Sequence, residues 1–164
     1  MTSGETHTTK QRSRGFTLIE LVVTISIIAI LAAVALPRFI TLQTQARIAK
    51  THALYGGLRS AAVLAHAQAI ATNTVTTGPA IIQMEAQNIT LIHGYPTADL
   101  AGIQTALQIS NLAEDVNITP GGAAAGDTLT VDVNGGTVPT CRVSYTSPIV
   151  GSGSPTITVT TGGC

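Results

Sequence analysis

The chain has 164 residues, of which 10% are charged, with eight basic side chains against eight acidic ones. Three of the basic residues and one acidic residue fall in residues 1–15, so residues 16–164 carry five against seven. That slight negative excess gives no electrostatic reason to bind nucleic acid or an anionic membrane surface. Trp is absent and aromatic residues make up 3%, so a core must be built from Ile, Leu, Val and Ala, and the length allows one domain.

Residues 1–15 are polar and carry Lys10, Arg12 and Arg14 against Glu5. From Phe16 to Leu36 there follow 21 residues in which Glu20 is the one charged side chain. Such a run, as a helix, is about the thickness of a bilayer's hydrocarbon layer, and its basic flank holds that end in the cytoplasm. A cleaved secretory signal has an apolar core of only about 7–15 residues. Ala33-Val34-Ala35 could serve as its cleavage site, but the run is too long and Glu20 interrupts it. A plain single-span anchor explains the length and the flanking charges and leaves Glu20 without a purpose, although a carboxylate in hydrocarbon is unfavourable unless it is partnered.

Gly15-Phe16-Thr17-Leu18-Ile19-Glu20, followed by an apolar helix with Pro37 at its end, resembles the N-terminal signature of type IV prepilins. The resemblance implies that residues 1–15 are a leader, removed after Gly15 by a prepilin peptidase, and that the new N-terminal Phe16 is N-methylated. It also implies that residues 16–37 are a transmembrane and assembly helix, and that Pro37 bends it. In a filament, Glu20 would meet the Phe16 amine of a neighbouring copy and set the register between subunits. The spacing agrees with this chemistry. Phe16 and Glu20 lie i, i+4 on a helix, so an amine and a carboxylate there can share a face, and an acidic first turn suits the helix dipole.

The periodicity predicts one helix from about Phe16 to Thr72. Ser26, Ala29 and Ala33 form a small-residue stripe on which other helices can approach closely. Farther on, Phe39, Leu42, Ala46, Ala49 and Ala53 recur at three and four, which predicts the face that covers the head, with Gln43, Arg47 and Lys50 turned away. Pro37 lacks an N–H and should kink or loosen the helix. Gly56-Gly57 is read as a place of close packing against the head.

After a loop from Asn73 to Ala80 come two short strands, Ile81–Met84 and Ile89–Ile92, around a four-residue connection, Glu85 to Asn88. Gly94-Tyr95-Pro96-Thr97 leads into a short helix over Ala98–Ile109 with Thr97 as its N-cap and Asp99 in its first turn. Asn111 to Gly126 reads as a polar surface loop. Thr128–Val133 alternates as a strand and ends on the turn signal Asn134-Gly135-Gly136. Cys141–Thr146 and Pro155–Thr161 supply two more strands around the loop Ser147–Ser154. The two cysteines, Cys141 and Cys164, lie beyond the membrane span, where disulfides persist, and their pairing is expected.

The resulting fold class is α+β: one long N-terminal helix, its first half a membrane span and its amphipathic half, within residues 38–164, packed on a small antiparallel β-sheet head. This matches the type IV pilin fold. Ile92-His93-Gly94-Tyr95-Pro96-Thr97-Ala98 and Cys141…Thr156-Ile157-Thr158-Val159-Thr160…Cys164 further resemble mannose-sensitive haemagglutinin (MSHA) pilins, the major subunits of adhesive fibres. The implied protein is a structural filament subunit, a homo-oligomer, for adhesion or motility. It would sit in the inner membrane, N-terminus cytoplasmic, before assembly and in an extracellular pilus afterwards. The implied partners are the peptidase, an inner-membrane platform with its ATPase motor, and a surface or glycan receptor. A pseudopilin of a type II secretion system or a minor pilin shares the N-terminal motif and is the alternative; the Cys141–Cys164 loop favours a pilin.

Other candidate chemistry is weak. His52 and His66 lie about 21 Å apart along a helix and cannot share a metal. Like them, His93 is better read as a solvated or interface histidine. Asp127 and Asp132 flank a strand but lack the ligand count of a calcium site. Asn88-Ile89-Thr90 and Asn117-Ile118-Thr119 fit the glycosylation pattern, which is short. No nucleophile–base, phosphate-loop or dinucleotide pattern is present, so the reading is of a non-enzyme without cofactor or metal.

Overall fold

A computed structural model describes residues 15–75, 77–109, 115–150 and 153–164. Residues 1–14 of the expected leader, part of the loop expected over 111–126, and residues 151–152 of the loop before the last strand lie outside the described residues. The chain forms two compact units, residues 1–41 and residues 42–164.

Helix α1, Leu18–Ala71, runs through both units and continues through Pro37. In the first unit it is apolar all round and exposed, with its most apolar 18-residue window at a mean hydropathy of 2.7. That is long and apolar enough to cross a membrane. In the second unit α1 buries Thr51, Leu58, Ala61, Ala62, Ala65 and Ala69. These recur at seven, then three and four, so they form one stripe.

The head contains two antiparallel sheets rather than the one small sheet expected. The first has the order β1 (Ala80–Met84), β2 (Gln87–Ile92), β3 (Tyr95–Pro96). The second has the order β4 (Val116–Thr119), β5 (Thr128–Val133), β6 (Arg142–Thr146), β7 (Thr156–Thr160). The first sheet lays Ile82, Ile89 and Leu91 on Ala65 and Ala69 of α1. The second lays Val116, Ile118, Leu129, Val131, Val143 and Tyr145 in one core with Leu58, Ala61 and Ala62. Small alanines on that stripe let both sheets come close to the helix backbone.

Five local expectations are corrected. The β1–β2 connection is not four residues but two, Glu85-Ala86, both at positive φ (48° and 63°). That is what a tight hairpin turn of the primed type needs, and it is uncommon for residues with a Cβ. Gly94-Tyr95-Pro96-Thr97 is not a lead-in: His93 (φ 51°) and Gly94 (φ 79°) make a second such turn, and Tyr95 and Pro96 pair back onto Ile92 and Leu91. The helix expected over Ala98–Ile109 shrinks to a π-type turn, Leu100–Gln104, and a single α-turn, α2 (Thr105–Leu107). Its N-cap is Asp99, which accepts from Gly102 N at 2.8 Å, while Thr97 stands behind it and donates its hydroxyl to Asp99 at 2.7 Å. The stretch expected to be loop holds β4, whose Val-Asn-Ile-Thr alternation buries Val116 and Ile118. Gly57, by contrast, packs as expected: a Cβ there would stand 2.9 Å from Leu107 Cδ1. Gly56 has open space around it.

The fifth correction concerns the phase of α1. Ala46, Ala49 and Ala53 are exposed, as are Phe39 and Leu42, whereas Arg47, Ile48 and Lys50 are half-buried. The face that covers the sheets is thus the opposite one from that predicted. Arg47 reaches across to donate from Nε to the Cys164 carbonyl, and Lys50 pairs with Asp115 at 3.0 Å. Long basic side chains lie along the head and keep their charged ends at its rim, which a rule sending charges outward misses.

Candidate assembly site

Gly15, Phe16 and Thr17 precede the helix, are not helical, and are exposed. The helix starts at Leu18 because Thr17 and Glu20 form a reciprocal cap. Glu20 Oε2 accepts from Thr17 N at 3.0 Å and from Thr17 Oγ1 at 2.9 Å, and Thr17 Oγ1 accepts from Glu20 N at 3.3 Å. This is the Thr-x-x-Glu capping box, which satisfies amide donors that a helix start otherwise leaves open. The Thr17-x-x-Glu20 spacing is a capping signal in its own right, beside the Phe16–Glu20 spacing. The chain's own Glu20 is therefore bound to Thr17, and Phe16 touches neither of its oxygens among the bonds formed here.

Below the cap, polar groups in the apolar segment turn back on their own helix. Thr24 Oγ1 donates to Glu20 O at 2.6 Å and Ser26 Oγ to Val22 O at 2.7 Å. Thr41 Oγ1 donates to Pro37 O at 2.8 Å. Those hydroxyl protons are satisfied within the helix, and Glu20 is the one carboxylate of the apolar segment. Large apolar side chains from Leu18 to Leu42, Ile25 and Ile30 among them, are more than half exposed or nearly so.

The other predicted site residues fall elsewhere. Cys141 and Cys164 are joined, with Cα atoms 4.8 Å apart, and are buried against Val133, Ile48 and Leu54. Thr51 of α1 is fully buried and places its hydroxyl 3.6 Å and 3.8 Å from the two sulfurs. The bridge thus docks on the helix, a contact that sequence reasoning missed because it placed Thr51 on neither face. His66 stacks on Tyr95 at 4.0 Å and bonds Gly94 O at 2.8 Å, pinning the β2–β3 turn to α1. Asp132 is buried in a two-pronged pair with Arg142 at 2.8 and 2.9 Å, and Asp127 accepts from Ala124 N at 2.9 Å. Tyr145 is fully buried and donates to Pro96 O at 2.7 Å, tying the second sheet to the first. Burial pushes its phenol far above the usual tyrosine range.

Residues 10–36 match the prokaryotic N-terminal methylation motif. The matched residues contain Gly15, Phe16, Thr17 and Glu20, the ones assembled at the cap. A relative, the type IV narrow pilus major component PilA5 of Thermus thermophilus, is 50% identical over 58 residues. The match covers 35% of this chain and spans about half of the relative's length. No solved structure matches the chain.

Proposed function

We propose that the chain is the structural subunit of a type IV pilus. Cleavage after Gly15 frees the Phe16 amine, which is methylated, and the apolar half of α1 holds the subunit in the membrane until it moves into the filament. The observation that carries this reading is Glu20: a single carboxylate, four residues from the scissile bond, in an otherwise uncharged apolar helix whose sequence matches the methylation motif. The likeness to a pilus major component supports it. Lipid tails are about as apolar as a helix bundle, so the transfer of that segment is not strongly driven by the hydrophobic effect, and a charge pair can set where each subunit stops.

In this reading Glu20 takes the Phe16 amine of a neighbouring copy, Pro37 loosens the helix as it leaves the bilayer, and the disulfide keeps the head closed outside the cell. A membrane platform, an ATPase motor and a prepilin peptidase act on the chain, and adhesion to a surface or a glycan is the role of the fibre. The narrower assignment to pilins of the MSHA kind rests on the residues of the β2–β3 hairpin and of the disulfide loop. N-terminal sequencing of sheared surface filaments tests the reading: the chain should begin at methylated Phe16. Recovery of all 164 residues, leader attached, from native fibres would overturn it. Glu20→Ala should leave the protein inserted and cleaved but without fibres.

A further inference from the structure

Asn134-Gly135 ends β5 in a tight turn that takes no part in the proposed function. The chain has five asparagines, and the other four, Asn73, Asn88, Asn111 and Asn117, are followed by Thr74, Ile89, Leu112 and Ile118. A glycine after asparagine leaves the next backbone nitrogen unshielded, because no Cβ stands beside it. We propose that Asn134 is a self-modification site: the Gly135 backbone nitrogen attacks its side-chain amide, and water completes its conversion to aspartate and isoaspartate.

The geometry supplies the parts. Val133 O accepts from Gly136 N at 3.2 Å and Gly135 takes φ 81°, so Asn134 and Gly135 are the central residues of a β-turn. The turn is tied down on both sides of the reacting peptide, with Asn134 N donating to Asp115 O at 3.0 Å and Val133 N to Cys141 O at 3.1 Å. The attacking atom is not tied: Gly135 N–H forms no hydrogen bond among the described residues. Asn134 is exposed, so water reaches it. Arg47 supplies the charge. A Cβ on Gly135 would stand 3.4 Å from Arg47 Nη1, and Arg47, Lys50 and Asn134 line one hollow of about 230 Å³. A guanidinium there favours loss of the Gly135 amide proton and the negative charge that develops during attack.

In the step, Gly135 N gives its proton to water and bonds to Asn134 Cγ. The Cγ–Nδ2 bond breaks, and Nδ2 takes a proton back from water and leaves as ammonia. The cyclic imide then takes up water at either of its carbonyls: opening at one gives aspartate, and opening at the other gives isoaspartate, whose chain runs through the side chain. Nothing is oxidised or reduced. Either product adds a negative charge beside Arg47 and Lys50, which meet it with opposite charge. Isoaspartate also lengthens the β5–β6 connection that leads to Cys141.

The test uses the full chain in detergent micelles, held at mildly alkaline pH and followed over time by peptide-mapping mass spectrometry. Asn134 should exchange NH2 for OH before any other asparagine, with isoaspartate among the products. Arg47→Gln should slow that conversion about tenfold, the rate equivalent of about 1.4 kcal/mol. Asn134→Gln, whose longer side chain would need a larger ring, should stay unconverted. An unchanged rate in Arg47→Gln overturns the role of the guanidinium. If that variant does not fold, the unaltered chain decides: Asn134 should convert at least as fast in the folded chain as in urea, because unfolding takes Arg47 away. Slower conversion in the folded chain, or another asparagine converting first, overturns the proposal.

Discussion

The two parts of α1 are made from similar residues and meet opposite fates. Up to Thr41 the helix shows exposed Ile, Leu and Val on every side. From Leu42 onward the same helix buries a stripe of Thr51, Leu58 and four alanines, and its outer side still carries exposed Val63, Leu64 and Ile70. The difference teaches that hydrophobicity alone does not say what a helix segment packs on. The first part has no buried residue among the described ones; the second is finished by its own sheets.

The bluntest way to break that contrast is to cut the chain. A protein comprising residues 42–164 should be monomeric and soluble without detergent, with its sheets intact, whereas the full chain should need micelles. Sedimentation and circular dichroism check both. Aggregation of the shorter protein would mean that the exposed outer side of α1 is not tolerated alone. Next in size, replacing Cys141 and Cys164 by Ser should destabilise the head by about 2–5 kcal/mol in urea unfolding, because the bridge closes the last strand and packs on Thr51. A sharper comparison pairs two leucines of the same helix. Leu58→Ala removes a buried side chain and should lower stability by about 2–5 kcal/mol. Leu42→Ala, at a position 62% exposed, should change it by less than about 0.5 kcal/mol. Equal effects would contradict the phase of the helix.

A loss smaller than that at Leu58 belongs to the tie between the sheets. Tyr145→Phe leaves Pro96 O buried without its donor and should lower stability by about 1–3 kcal/mol. The same phenol adds a pH dependence. Its folded pKa is raised while the unfolded one stays near 10, so the native state binds more protons once the unfolded phenol ionises. Stability is then full below about pH 10 and falls as pH rises above it, at up to about 1.4 kcal/mol per pH unit, and the decline should shrink in Tyr145→Phe. Urea midpoints at pH 9 to 11 in both proteins, values chosen to bracket that window, would show it.

What could be read in advance follows the strength of local signals. Uninterrupted apolar periodicity gave α1 to within two residues at each end, strict alternation in Thr128–Val133 gave β5, and the strand expected over Pro155–Thr161 is β7, one residue shorter at each end. Two cysteines beyond the apolar run left one pairing. The assembly end was half legible: Glu20 stands out by its charge, whereas the capping signal of Thr17, three positions before it, is a weaker cue than a lone carboxylate.

The sequence by itself determined α1 and the strands β1, β2, β5, β6 and β7, whose local patterns are strong, but not β3, β4 or the short turns between Leu100 and Leu107. It also fixed the place of the lone carboxylate and the existence of the disulfide. Only the tertiary structure decided which way α1 faces. Phe39, Leu42, Ala46, Ala49 and Ala53 make one apolar stripe and Ile48, Thr51, Leu58 and Ala62 make another on the far side, so local pattern is indifferent between them. The choice falls to the second because the head offers it the disulfide, two sheets, and rim partners for Arg47 and Lys50. The three-stranded sheet was likewise settled beyond the turn residues: Glu85, Ala86 and His93 take positive φ, which strand pairing maintains although none of them is a glycine.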